Sequence, residues 1–141
     1  PSDAKYEESR RVPFLVLQDR LRRALHQPET IVLVSGFSFA DAHLNEMLFD
    51  AAIRCERSEF VMFTYDDIGD VLSERAARSP NIQVVGRTEA VLGGVRGNWK
   101  APDDDIPNLW EDEKLALPDF THLTSYLARS SAQDGEAYGD A

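Results

Sequence analysis

Between Arg11 and His26 the apolar residues Phe14, Leu17, Leu21 and Leu25 recur three or four apart. That spacing lines them along one face of an α-helix. Pro13 suits the first turn of such a helix, where a missing N–H costs nothing, and Gln27-Pro28 ends it. From about Thr30, Ile31-Val32-Leu33-Val34 is apolar without alternation, the pattern of a strand buried on both faces of a parallel sheet. A second helix is predicted to start at Asp41, its N-cap, with Leu44, Leu48, Ala51 and Ala52 facing inward. Glu59–Tyr65 reads as another short strand around Phe60-Val61-Met62-Phe63. Ile68–Ala77 reads as a third helix closed by Ser79-Pro80, and Ile82-Gln83-Val84-Val85 as a third strand. Helices alternate with strands, which predicts an α/β fold with a mainly parallel sheet and right-handed connections.

Beyond Gly86 the texture changes. Gly93-Gly94-Val95-Arg96-Gly97-Asn98-Trp99 reads as a glycine-rich loop anchored by an aromatic residue. Asp103-Asp104-Asp105 and Glu111-Asp112-Glu113 flank Trp110 in a segment predicted to be irregular. Pro118–Leu127 fits a last helix, with Phe120, Leu123, Tyr126 and Leu127 packing back. The small and polar residues over 128–141 are expected to form a disordered tail.

At 141 residues the chain has the size of one domain. Its net charge of −10 is unevenly spread. Residues 1–100 carry 13 basic and 15 acidic groups, whereas residues 101–141 carry 2 and 10. Direct nucleic-acid binding is not expected of such a balance, because phosphate contacts need clustered cations. Arg10, Arg11, Arg20, Arg22 and Arg23 form the one basic cluster, which reads more simply as an exposed helix face paired with local carboxylates. No run approaches the ~18 apolar residues of a membrane helix. Cys55 is the single cysteine and is placed mid-helix as a small packing residue. Without a disulfide framework or a leader, the expected compartment is the cytoplasm. The first residue is Pro1, and further sequence upstream is expected.

The candidate chemistry begins at the carboxyl end of the first strand. Ser35-Gly36-Phe37-Ser38 is followed by Asp41 at a helix start, and such strand–loop–helix turns are where open α/β sheets hold phosphates. It has neither Gly-x-Gly-x-x-Gly spacing nor a following Gly-Lys-Ser/Thr, so on its residues alone Gly36 serves equally as a backbone turn. His43 and Asn45 point in different directions on the second helix, and His43 reads more simply as a partner of a neighbouring loop. Tyr65, Asp66 and Asp67 close the second strand, where a carboxylate either holds a ribose hydroxyl or caps the third helix, a duty that suits Asp67. Arg96 either meets a phosphate or belongs to a flexible loop.

Together, Gly36-Phe37-Ser38-Phe39, Asp41, His43-Leu44-Asn45, the lead-in Pro1-Ser2, Lys5-Tyr6 and Ser9-Arg10-Arg11, the Gly93–Trp99 segment and Pro118-Asp119-Phe120 resemble the C-terminal part of the bacterial sirtuin-like domain family. The resemblance covers about residues 1–127 in order, with the glycine-rich loop and acidic segment at about 87–117. It implies a Rossmann-like three-layer sandwich, of which this is the C-terminal portion. It also implies NAD as the cofactor consumed, held by Ser35, Gly36, Phe37, Ser38, Asp41, Tyr65, Asp66 and Arg96. The family's catalytic Asn and His lie upstream of the matched part, and His43 does not inherit that role. Family members of this kind are anti-phage NAD-hydrolysing enzymes, assembled as homo-oligomers or with a partner ATPase. NAD-dependent deacylation on the same fold, or non-catalytic nucleotide sensing and assembly, are the rival expectations.

Overall fold

A computed structural model describes residues 3–103, 106 and 109–136, with side chains described from Phe14 to Arg129 within them. The order of elements is α1 (Asp3–Leu25), β1 (Ile31–Val34), α2 (Ala42–Arg54), β2 (Glu59–Phe63), α3 (Asp70–Arg78), β3 (Ile82–Val85), β4 (Glu89–Leu92), β5 (Val95–Asn98), β6 (Trp110–Glu111), β7 (Lys114–Leu115) and α4 (Phe120–Glu136). The α/β class and the parallel pairing of β1, β2 and β3 agree with the sequence pattern. The sheet as a whole is mixed, in the order β1-β2-β3-β4-β5, because β4 and β5 run antiparallel.

Alternation along β2 divides the interior into two layers. Phe60 and Met62 face one side, where Ile82, Val84 and Val91 join Leu48, Ala51 and Ala52 of α2 and Leu72 and Ala76 of α3. Val61 and Phe63 face the other side, with Val85, Leu115, Trp99, Trp110 and Leu123 of α4. The parallel pairing of β1 and β2 puts their carboxyl ends at one rim of the sheet, and the site forms there.

Several sequence expectations are corrected. The glycine-rich segment is not a loop but the β4–β5 hairpin, turned at Gly93-Gly94. The acidic stretch contains a second small hairpin, β6–β7; Asp104 and Asp105 lie outside the described residues. α1 begins at Asp3, so Pro13 falls within the helix and not in its first turn. Its stripe does not pack inward as the spacing predicts. Leu25 is buried, but Phe14 and Leu17 are 55% and 61% exposed.

β1 is an edge strand, so Val32 and Val34 pack on the core while Ile31 remains 70% exposed. Cys55 caps the end of α2 and is not mid-helix. Of the residues expected to pack from α4, Leu123 is buried and Phe120, Tyr126 and Leu127 are exposed. The helix also continues through Glu136 into the stretch expected to be a tail. Adding residues to a formed helix is far easier than nucleating one, and Ala, Ser and Gln tolerate it. Residues 137–141 lie outside the described part. No helix among the described residues is long and apolar enough to cross a membrane.

Candidate functional site

The loops that leave β1 and β2 border one cavity of about 720 Å³, the size range of small-molecule sites. Gly36, Phe37, Ser38 and Phe39 form one wall, from the loop after β1, and Thr64, Tyr65, Asp66 and Asp67 another, from the loop after β2. Asn45 and Phe49 of α2 also line it, and Gly69, Asp70, Val71 and Leu72 at the start of α3 continue the second wall.

The first wall has a specific backbone shape. Gly36 has φ of 68°, and Phe39 has φ of 56°. The left-handed region costs a side-chain-bearing residue about 1–2 kcal/mol, so Gly36 avoids a strain that Phe39 accepts. Two contacts hold Phe39 there. Its ring meets Phe37 edge-on with centroids 4.8 Å apart. Its carbonyl accepts a hydrogen bond of 2.7 Å from Asn45 Nδ2.

Polar groups without protein partners gather at the same rim. Ser35 Oγ, Asn45 Oδ1 and Thr64 Oγ1 are buried and make no hydrogen bond. A buried orphan of this kind costs about 1–3 kcal/mol. Of the three, Asn45 on α2 and Thr64 after β2 also line the cavity.

Five of the predicted site residues, Gly36, Phe37, Ser38, Tyr65 and Asp66, meet on this cavity. Ser35, Asp41 and Arg96 are not part of its lining. Asp41 turns its carboxylate onto its own helix, accepting from His43 N–H at 2.9 Å and Leu44 N–H at 3.1 Å. It therefore occupies the helix-start donors that a phosphate would otherwise use. Arg96 is bound to Glu89. Asp67 does not cap α3, whose N-cap is Gly69.

Asn45, Thr64 and Asp70 are cavity residues that the site prediction omitted. A hydroxyl at the end of an apolar strand, as in Thr64, was the available signal. His43 lies instead in a separate cleft of about 530 Å³ with Arg22, His26, Glu46, Asp50 and Arg54. Asn45 and His43 thus face different ways, as their spacing predicts.

The cavity is acidic. Asp66, Asp67 and Asp70 border it, and no Lys, Arg or His is among its described lining residues. Carboxylates accept from hydroxyls and favour nearby positive charge, so this side of the cavity disfavours an anion. Tyr65, on the acidic wall, is stacked by the Arg87 guanidinium 4.9 Å from its ring centre, which also donates to its hydroxyl at 3.1 Å. No cluster of His, Cys, Asp and Glu suited to a metal ion occurs among the described residues. Comparison with protein-family models and with curated proteins finds no match.

Proposed function

We propose that this chain is the ribose- and phosphate-holding portion of a sirtuin-like, Rossmann-like NAD-consuming enzyme that hydrolyses NAD to nicotinamide and ADP-ribose. One observation carries the reading: the loops after two adjacent parallel strands share a single cavity at the sheet's carboxyl rim, where such folds bind nucleotides. The Gly36–Phe39 turn would take the phosphates through backbone and the Ser38 hydroxyl. Asp66 and its neighbours would accept from ribose hydroxyls. Breaking the nicotinamide–ribose bond builds positive charge on the ribose, and a carboxylate-lined wall favours that charge. Activation of water would fall to residues upstream of the matched segment. The resemblance carries the wider setting, an anti-phage enzyme acting as a homo-oligomer or beside a partner ATPase.

A non-catalytic nucleotide-sensing role is the second reading. It is favoured by the cavity's described lining, which offers hydroxyl, amide and carboxylate groups for holding a ligand and no Lys, Arg or His.

Calorimetric titration of the chain with NAD and with ADP-ribose tests the binding claim. Saturable binding is expected, weakened about tenfold or more by Gly36→Ala, whose added Cβ is strained at positive φ. Absence of binding to either ligand at millimolar concentration sinks the proposal. Nicotinamide release by the parent polypeptide then separates the readings: release without an acylated peptide supports hydrolysis, strict peptide dependence indicates deacylation, and binding without release indicates sensing.

A further inference from the structure

We propose that Glu89 and Arg96, paired across the β4–β5 hairpin, are positioning residues that clamp the acidic wall of the cavity, an inference that rests on the nucleotide-binding reading above. The two lie on one face of the hairpin, since Arg96 is opposite Val91 and Glu89 is two residues from Val91. Arg96 Nε donates to Glu89 Oε2 at 2.8 Å and Nη2 to Oε1 at 2.9 Å, a fork-to-carboxylate pair of the strong, directional kind.

The pair does not end on itself. Glu89 Oε1 accepts from the Ile68 N–H at 3.2 Å, and Arg96 Nη2 donates to the Ile68 carbonyl at 3.3 Å. Both backbone groups of one residue are therefore gripped by two oppositely charged side chains. Ile68 is buried and stands in the chain between Asp67 and Gly69, both of which line the cavity. Arg96 Nη1 also reaches Ser73 Oγ of α3 at 3.4 Å.

Two further features agree with a clamp. At Gly86, an added Cβ would meet the Glu89 carbonyl at 3.0 Å, Thr64 Oγ1 at 3.4 Å and Ile68 Cγ1 at 3.5 Å. A side chain there would push the hairpin and the wall apart. Arg96 also stands close enough to Asp67 and Asp70 to feel both charges. A solvent-exposed ion pair contributes little by itself; here the Glu89 side chain is only 14% exposed and the pair fixes a backbone segment. A guanidinium so engaged is not free to act as a phosphate ligand.

Titration of the full chain with ADP-ribose, beside hydrogen exchange at the Ile68 amide, tests the clamp. Glu89→Gln and Arg96→Lys are each expected to weaken ADP-ribose by about tenfold, within the usual range of coupling energies, and to speed exchange at Ile68. The double variant should lose little more than either single one. Lysine keeps the charge but not the fork, so no rescue is expected. If Arg96 instead touches phosphate, Glu89→Gln releases it, and unchanged or tighter binding overturns the clamp. Unchanged exchange at Ile68 in both variants overturns it as well. If the unaltered chain binds no ADP-ribose, the nucleotide reading fails while the exchange measurement still decides whether the pair grips Ile68.

Discussion

Asn45 reaches back along its own helix to Phe39 and fixes the carbonyl of a residue at positive φ, with Nδ2 to oxygen at 2.7 Å. The second-helix residue thereby sets the shape of the loop that forms the first wall of the cavity. Asn45→Ala removes the donor and leaves a part-buried carbonyl unmatched, at a cost of about 1–2 kcal/mol in stability. Asn45→Asp should cost at least as much, because a carboxylate cannot donate and faces another acceptor. Urea unfolding reads the stability change. A parallel titration with NAD should show both variants binding more weakly than the unaltered chain, since the Gly36–Phe39 turn is no longer held.

How much of this was legible in the residues follows from the reach of each signal. Apolar runs marked β1, β2 and β3, and Asp41 marked the start of α2, because buried strands and caps leave local patterns. The two-residue strands of β6 and β7 are too short to show any period. Gly93-Gly94 was a hairpin signal, masked by the further glycine at 97 and by consecutive apolar residues Ala90-Val91-Leu92 that show no alternation. Periodicity marks the stripe of Phe14 and Leu17, but burial depends on distant packing, and both residues are exposed. Arg96 shows the same boundary at the site. Its partner Glu89 is seven residues away, and only the hairpin register brings them together.

Asn81 supports the core from the turn before β3. Its side-chain nitrogen donates to the carbonyls of Ala52 at 2.9 Å and Ser58 at 3.0 Å, with Cys55 at 3.3 Å. These include carbonyls at the end of α2, which have no partner within the helix. Asn81→Ala should therefore destabilise by about 2–3 kcal/mol, more than a surface substitution, because several buried acceptors lose one donor. The drop in urea midpoint measures it. Asn81→Asp should be no better, since its oxygens would face carbonyls.

Acid should weaken the fold through two identified carboxylates. Hydrogen bonds from Arg96 hold Glu89 below its ordinary value, against burial that acts the other way, and the Ile68 N–H adds to the lowering. Asp119 is lowered by the backbone N–H groups of Thr121 and His122, which it caps at 2.8 Å and 3.3 Å. For both groups the folded state binds a proton less readily than the unfolded chain. Their contribution is thus fully present above the unfolded carboxylate values, about 4, and is lost as pH falls through the lower folded ones. Urea midpoints measured from about pH 5 down to about pH 2 should fall. Asp119→Asn and Glu89→Gln should each flatten that fall, because an amide has no proton to gain. A slope that stays the same in both variants would mean that other carboxylates drive the acid transition.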